Sequence, residues 1–400
     1  MAGRPRAVVT GLGVKTPCGT DPEQMWTLLL AGRSVARRVT GFDPSGLPVD
    51  FGCEVPPFDL DCYLTAKEDR RADRATRLGV SAAQDAVVDA GGFDAAPERR
   101  AVVVGTTGGP GPASAARRAG GPPAPATLPN AAAAALAIRH DVRGASLCVA
   151  TVGASGGHAV GEALRLVREG AADVVLAGGT DAPLGPAALR AYHDLGVLSG
   201  RTGDPGRASR PFDATRDGFV LGEGAAFVVV ESAEHAARRG ARVYAELAGF
   251  GRTTDAYHAT APEPDGEGVA RAVAAALHDA RLTTRDVVHV SAHACSTPAG
   301  DLAEARALAA VFGPGGVPVS APKGAMGHLM GAAGAVEAVL AVLAVRDGLA
   351  PPTANLVDLD PRCEIDAVTA VPRKTGDGAV VTVSSGFGGH NAALVLHPAP

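Results

Sequence analysis

The side chains of this chain that could take part in chemistry are two histidines and a charged pair in its last third. His293 stands in the segment His-Ala-Cys-Ser-Thr, and His328 lies between Lys323 and Glu337 in a stretch rich in glycine and alanine. Histidines serve as general acids, bases and hydrogen-bond donors, although a lone histidine is more often structural. Lys323 and Glu337 could form an ion pair that tethers a loop to a helix.

A second segment, residues 144–161, predicts a buried strand, an elbow of small residues and a helix. Gly153 stands at the elbow and has no side chain. Cys148 lies five residues earlier in the apolar strand, and we expect it to be a core residue. Position 153 therefore carries no group that could attack a substrate.

Short β-rich runs alternate along the chain with alanine-rich helical stretches, which is typical of an α/β fold. The predicted strands are 7–10, 101–105, 146–150, 173–177 and 225–231, followed after about residue 240 by 243–247, 287–291, 317–320, 380–384 and 392–396. The predicted helices are 77–90, 155–169, 266–280, 301–312 and 331–346. Because the pattern restarts, we expect a weakly duplicated core with halves 1–240, which contains the elbow at 151–157, and 241–400. Residues 105–129, rich in glycine, proline and alanine, predict a surface loop or cap.

Composition argues against several classes of function. Hydrophobic residues make up 46% of the chain and charged residues 20%, so a large core is expected and global disorder is not. A formal charge of −5 argues against general nucleic-acid binding. The 6 cysteines are far apart and form no CxxC pair, so we expect neither disulfides nor a zinc site. No apolar run is long enough to span a bilayer, and we expect a soluble, cytoplasmic protein.

Several segments follow one another in an order that resembles a known family. They are residues 211–224, 257–262, 293–301, 323–337 and 386–391, and the elbow at 144–161 joins them. Together they resemble the β-ketoacyl-[acyl-carrier-protein] synthases of the ketosynthase II type, in the thiolase superfamily, over nearly the whole chain. The resemblance implies a thiolase-like, five-layered α-β-α-β-α fold built from two duplicated halves. It also implies thioester substrates on the phosphopantetheine arm of an acyl carrier protein, with no cofactor or metal bound by the chain itself.

The resemblance also implies roles for the residues that could do chemistry. It places the family's catalytic cysteine, whose thiolate a helix N-terminus favours, at Gly153. His293 and His328 match the two histidines that donate hydrogen bonds to a malonyl thioester as carbon dioxide leaves and an enolate forms. Lys323 and Glu337 match a buried charged pair that helps to orient the second of these histidines, His328.

Two backbone groups complete the implied site. The N–H groups of Gly153 and Phe387 match the family's oxyanion hole, and a change from cysteine to glycine leaves a backbone donor intact. We also expect the missing thiol to leave room for about one water at the elbow. The groups that the resemblance assigns to decarboxylation are therefore all present, whereas the cysteine that it assigns to acylation is absent.

Four further side chains belong to the implied substrate-binding motifs. Cys295 stands where the family has threonine, and the resemblance implies that this position and Thr297 contact the phosphopantetheine arm. Tyr192 takes the place of a phenylalanine at the wall of the acyl pocket. His390 replaces the threonine of the closing loop. Preference for acyl chain length or partner therefore does not carry over from the family.

Three functions remain open from the sequence. The first is a chain-length-factor-like subunit of type II polyketide or fatty-acid synthesis, which lacks the elongation nucleophile and pairs with an active ketosynthase, or else forms a homodimer. The second is a decarboxylase of malonyl-carrier protein, or another cysteine-independent thioester enzyme, that uses His293 and His328. The third is a condensing enzyme with an unusual nucleophile such as Cys295. Gly153 favours the first function, and the intact histidines favour the second.

Overall fold

The computed structural model describes residues 4–108 and 128–399, and a large mixed sheet organises them. Its 11 strands are Ala7–Lys15 (β1), Arg100–Gly105 (β2), Ser146–Val149 (β3), Val174–Asp181 (β4), Gly224–Ser232 (β5), Ala245–Thr254 (β6), Val287–Ser291 (β7), Pro318–Ser320 (β8), Asp366–Ala367 (β9), Ala379–Gly386 (β10) and His390–Pro398 (β11). They are hydrogen-bonded in the order β9-β8-β7-β10-β11-β6-β1-β5-β4-β2-β3. Two short strand pairs lie outside this sheet: Arg37–Arg38 with Phe51–Gly52, and Leu349–Ala350 with Arg373–Lys374.

The sheet consists of two halves with the same topology. Numbered within the first half, strands β1 to β5 lie in the spatial order 1-5-4-2-3. Strands β6, β7, β8, β10 and β11 repeat the order 1-5-4-2-3 in the second half, and β9 is added at its edge. Two residue pairs, Val8 with Glu246 and Val9 with Ala245, join the halves through β1 and β6. The repeated order supports a duplicated core divided between β5 and β6.

Helices cover both faces of each half-sheet. They are Pro22–Leu30 (α1), Ala66–Asp69 (α2), Arg74–Asp89 (α3), Ala131–Arg139 (α4), Ser155–Arg168 (α5), Pro186–Asp194 (α6), Ala233–Arg238 (α7), Glu267–Ala280 (α8), Pro298–Phe312 (α9), Lys323–Met326 (α10) and Ala333–Asp347 (α11). Helices α5 and α11 pack together between the half-sheets, and residues 333–344 of α11 are all buried. Helix α3 covers the outer face of the first half, whereas α8 and α9 cover that of the second. These are the five α-β-α-β-α layers of a thiolase-like fold.

Every predicted strand and helix is present, with ends that differ for local reasons. Helix α3 begins at Arg74, because the side chain of Asp73 caps it by accepting a hydrogen bond from the Thr76 N–H. Strand β6 continues to Thr254, because it pairs with β11 along its whole length. Residues 109–127 of the predicted surface loop lie outside the described part of the chain. Within the described ranges, no helix has both the length and the apolarity that crossing a bilayer requires.

The prediction that Cys148 is a core residue is wrong. Among residues 4–108 and 128–399, strand β3 lies at the edge of the sheet and pairs with β2 alone. Ser146 and Leu147 are exposed, and Cys148 is half-buried with its thiol 3.3 Å from the carbonyl oxygen of Pro129. An apolar run of this length does not reveal whether its strand is central or peripheral.

Candidate active site

The elbow after β3 places Gly153 just before the N-terminus of α5. Val152 has a φ of +52°, which is a strained left-handed conformation for a β-branched residue, and the turn Val152–Ala154 leads directly into the helix. The buried hydroxyl of Ser155 holds this turn by accepting a hydrogen bond of 2.8 Å from the Thr151 N–H. The backbone of Gly153 is thereby turned towards the second half of the molecule.

Gly153 lies beside the imidazole rings of His293 and His328, whose centroids are 5.3 Å apart. A Cβ built on Gly153 would lie 3.2 Å from Cε1 of each ring and only 2.4 Å from the carbonyl oxygen of Ser385. The Ser385 carbonyl oxygen therefore lies in the space that a Cβ would need, and the room for a water beside the elbow stays a prediction. Any side chain at position 153 would have to displace the strand end that carries Ser385.

The ring of His328 is neutral and carries its proton on Nε2. The Met330 N–H donates to Nδ1 at 3.1 Å, so Nδ1 is an acceptor and the remaining ring proton sits on Nε2. Burial, followed by the nearby Lys323 ammonium, lowers the pKa of His328 well below its usual range. Phe219 packs edge-on against the ring with 5.4 Å between the centroids. His328 can therefore donate one hydrogen bond to a ligand.

His293 has the same tautomer for a different reason. The ammonium of Lys323 lies 3.3 Å from Nδ1, and because an ammonium can only donate, the proton of the ring sits on Nε2. Burial, then Lys323, then His328 lowers the pKa of His293 well below its usual range. Neither Nε2–H donates to an acceptor of the described chain, and both rings line a cavity. Two neutral N–H donors thus face the space beside Gly153.

Lys323 and Glu337 form the predicted ion pair, and each side chain is only 2% exposed. Burial raises the pKa of Glu337 to about 7, against the opposing effects of Lys323 and of the Ser384 hydroxyl, which donates at 3.3 Å. The expectation that this pair orients His328 is wrong. Lys323 contacts His293, whereas a backbone N–H orients His328.

A cavity of about 400 Å³ leads from the elbow to the surface. Gly153 and the two histidines line its inner end, and the exposed residues Leu195 and Pro298 line its mouth. Cys295 and Thr297 lie along the wall, with 3.5 Å between Sγ and Oγ1. Burial raises the pKa of Cys295 to about 11, so its thiol stays protonated near neutral pH and is a poor nucleophile.

The structure brings Phe387 into this site but not Tyr192 or His390. Phe387 lines the cavity, and its N–H, like that of Gly153, donates to no acceptor of the described chain. Tyr192 packs edge-on behind Phe219 with 5.6 Å between the ring centroids, so it supports the wall from outside the cavity. His390 is the first residue of β11 and is half-buried away from the cavity.

Two buried carboxylates near the site were not singled out from the sequence. Glu304 lines the cavity and accepts from the N–H groups of His293 and the next residue at 2.7 and 2.6 Å, and burial raises its pKa to about 7. Asp181 accepts from the N–H groups of Thr107 and Gly331 at 3.0 and 2.6 Å, which ties the two halves together behind the elbow. The sequence does contain one indication of Glu304: it is a charged residue among alanines on a helix face that is buried, and a buried charge needs a partner.

The site therefore offers two imidazole N–H groups and two backbone N–H groups, and none of its side chains is an activated nucleophile. Such donors stabilise negative charge that develops on the oxygen of a bound carbonyl. Among residues 4–108 and 128–399, no cluster of three or more side chains could hold a metal ion. The geometry suits binding or polarisation of a thioester.

Comparison with known proteins agrees with this geometry. The chain matches the family models "Beta-ketoacyl synthase, N-terminal domain" over residues 5–236 and "Beta-ketoacyl synthase, C-terminal domain" over residues 244–357. It therefore belongs to the β-ketoacyl synthase family. Members of this family work on thioesters carried by the phosphopantetheine arm of an acyl carrier protein and hold no other cofactor.

Individual relatives come from fatty-acid and polyketide synthesis. The chain is 39% identical to 3-oxoacyl-[acyl-carrier-protein] synthase 2 of Coxiella burnetii and 40% identical to that of Rhizobium meliloti, in each case over 98% of both chains. It is similar to the solved structure of the ishigamide ketosynthase/chain length factor, with 34% identity, a TM-score of 0.92 and 100% of both chains covered. It is also similar to a ketosynthase solved with a type II polyketide acyl-carrier protein, with 30% identity, a TM-score of 0.86 and coverage of 99% and 100%.

Proposed function

We propose that this chain is a non-elongating ketosynthase homologue, which binds carrier-protein thioesters without forming an acyl-enzyme. The observation that carries the proposal is the closed elbow. The position that the family resemblance assigns to the cysteine is Gly153, and the Ser385 carbonyl lies 2.4 Å from where its Cβ would be. We assign Thr297 and Cys295 to contacts with the phosphopantetheine arm, because both line the cavity between its mouth and Gly153.

Pairing with a cysteine-bearing ketosynthase, in the manner of a chain-length factor, is the first candidate role. Strand β3 supports it, because no other strand of the described part of the chain pairs with its outer edge, and this edge with the exposed Leu147 offers a template for pairing with another chain. Helix α4 packs beside β3 and exposes the apolar Ile138. The similarity to the ishigamide ketosynthase/chain length factor agrees with this role. A homodimer through the same edge is the alternative assembly.

Light scattering after size-exclusion chromatography tests the pairing. The chain is purified alone and after co-expression with a cysteine-bearing ketosynthase of its own organism, and we expect a one-to-one complex. Leu147→Lys should weaken the complex by placing a charge at the strand edge. Val357→Lys, at an exposed apolar residue of the other half, should leave it intact. A chain that stays monomeric under both conditions would count against this role.

Decarboxylation of malonyl-carrier protein is the second candidate, and the histidine geometry favours it. Both rings are neutral Nε2–H donors, and both line the cavity beside Gly153. In the proposed step, the bond between the malonyl carboxylate and Cα breaks and carbon dioxide leaves. The electron pair moves into a thioester enolate, whose oxygen accepts hydrogen bonds from His293 and His328. A proton from water then reaches Cα and gives the acetyl thioester, with hydroxide as the second product.

Mass spectrometry of malonyl-carrier protein incubated with the chain alone separates the candidate roles. Acetyl-carrier protein that forms with the parent chain and is lost with His293→Ala would establish a histidine-dependent decarboxylase. His278→Ala, at an exposed histidine of α8, is the matched control. If the parent chain gives no conversion, the decarboxylase role is rejected and only the role as a partner of a ketosynthase is supported. A stable acyl adduct that disappears with Cys295→Ala would instead support the unusual-nucleophile alternative.

A further inference from the structure

One face of the second half-sheet carries a row of buried polar side chains. Strand β7 runs parallel to both β8 and β10. His289 of β7 lies beside Val380 of β10. Ser291 of β7 lies beside Thr382 of β10 and Ser320 of β8. Because side chains alternate along a strand, these polar residues share the face that α11 covers. The members of the row are His289, Ser291, Ser320, Thr382 and Ser384, each at most 4% exposed. Val290 and Val381, on the opposite face, belong to an apolar cluster.

The tautomer of His289 follows from its neighbours. Nε2 lies 3.0 Å from the hydroxyl oxygen of Ser320, which donates its own proton to the carbonyl of Pro351 at 2.5 Å. Ser320 must therefore accept from His289, so the ring proton sits on Nε2 and Nδ1 is an acceptor. Burial lowers the pKa of His289 to about 3, so the ring is neutral near neutral pH.

Two atoms of the row are left without partners and are complementary to each other. Nδ1 of His289 and Oγ1 of Thr382 are both buried and have no hydrogen-bond partner in the described chain. One needs a donor, and the other has a proton to donate. The two residues are diagonal neighbours on adjacent parallel strands, where the strand spacing of about 4.8 Å and the rise of about 3.3 Å per residue separate their Cα atoms by roughly 8 Å. A single water can accept from Thr382 and donate to His289 across such a gap.

We propose that an internal water binds between Nδ1 of His289 and Oγ1 of Thr382, where it completes a polar row beneath the candidate active site. The row leads along β10 from Thr382 to Ser384, whose hydroxyl donates to Glu337 at 3.3 Å. Glu337 is the carboxylate of the buried pair that reaches His293 through Lys323. The water site is thus one part of the packing that holds this pair, and it requires no assumption about the reaction.

A high-resolution crystal structure tests the site directly. We expect an ordered water within hydrogen-bonding distance of both His289 Nδ1 and Thr382 Oγ1. A direct hydrogen bond between these two side chains would overturn the proposal, and so would a dry gap between them.

Thr382→Val gives a second test whose sign separates the outcomes. Valine keeps the shape of threonine but removes the hydroxyl. If the water is bound, the variant loses its hydrogen bond and the Tm should fall, whereas Thr382→Ser, which keeps a hydroxyl, should lose less. If no water is bound, the hydroxyl of Thr382 has no hydrogen-bond partner, and removing it removes an unsatisfied buried polar group. An unchanged or higher Tm for Thr382→Val would therefore contradict the proposed water site.

Discussion

A cysteine introduced at Gly153 distinguishes an elbow that merely lacks a thiol from one that has closed. In Gly153→Cys the new Cβ would lie 2.4 Å from the Ser385 carbonyl oxygen and 3.2 Å from Cε1 of both histidines. Side chains do not tolerate contacts below 3.0 Å, so the carbonyl must retreat by at least 0.6 Å, which is 3.0 minus 2.4. Because the contact is with backbone, no rotamer change relieves it. Overpacking of this kind costs about 1–3 kcal/mol, and we expect the free energy of unfolding to fall by that amount.

Two measurements assay this variant. Urea unfolding gives the loss of stability, and intact-mass spectrometry after incubation with acyl-carrier protein gives the fraction of acylated chains. We expect a destabilised protein with little acylation, because the thiol competes for space with Ser385. Gly203→Cys is the matched control, since Gly203 is exposed and a Cβ there would meet nothing within 4 Å. Its stability should be unchanged and its thiol should react freely with maleimide.

The result that would refute this reasoning is a Gly153→Cys protein as stable as the parent, fully acylated and able to elongate. The strand end that carries Ser385 would then move at no cost, and the elbow would not be closed. Gly153→Ala isolates the steric part, because it adds the same Cβ without a thiol. It should show the same loss of stability as Gly153→Cys.

Three further predictions concern stability and are checked by urea unfolding. Lys323→Met should lower the free energy of unfolding by about 3–5 kcal/mol, because it leaves the buried Glu337 carboxylate without its ion-pair partner. The control Lys67→Met, at an exposed lysine, should leave this free energy almost unchanged. Equal losses in the two variants would contradict a buried ion pair. Ser155→Ala should lower the free energy of unfolding by about 1 kcal/mol, because it leaves the half-buried Thr151 N–H without this acceptor. A loss below about 0.5 kcal/mol would mean that the hydroxyl does not hold the elbow. Burial lowers the pKa of His289 from its usual 6.5 to about 3, so the unfolded chain takes up a proton that the folded chain does not. The contribution of neutral His289 to the free energy of unfolding is therefore complete above pH 6.5, and it falls by about 1.4 kcal/mol for each pH unit below 6.5. The stability of the parent relative to His289→Phe should decrease accordingly, and a difference that stays constant as the pH falls from 7 to 5 argues against a buried neutral ring.

Much of the fold could be predicted because it depends on local pattern. The alternation of β-rich runs with alanine-rich stretches predicted the ten main strands and five main helices, since strand and helix periods are properties of short windows. The restart after about residue 240 predicted a duplication, and the identical strand orders of the two halves agree with it. The order of strands in the sheet could not be predicted in this way, because it depends on contacts between distant segments. The position of β3 at the edge, and therefore the exposure of Leu147 and the half-burial of Cys148, is one such result.

Details of the candidate site depended even more on packing. The sequence predicted that His293 and His328 share a pocket, and the structure places both beside Gly153. It did not predict that Lys323 contacts His293 rather than His328, because this contact joins the first residue of α10 to a segment thirty residues earlier in the chain. Glu304 was missed because its partners are backbone N–H groups, which no motif displays.

The sequence by itself determined which chemical groups are available: two histidines, a lysine–glutamate pair, and a glycine with no nucleophile at the elbow. These are properties of residue types, and their order along the chain was enough to indicate the family. Only the tertiary structure decided how the groups are arranged. It placed the Ser385 carbonyl against Gly153, set the tautomers of both histidines through their neighbours, and placed β3 at the edge of the sheet formed by the described residues. The physical reason is that these arrangements are contacts between segments far apart in the chain, and such contacts arise only when the two half-sheets and their helices pack together.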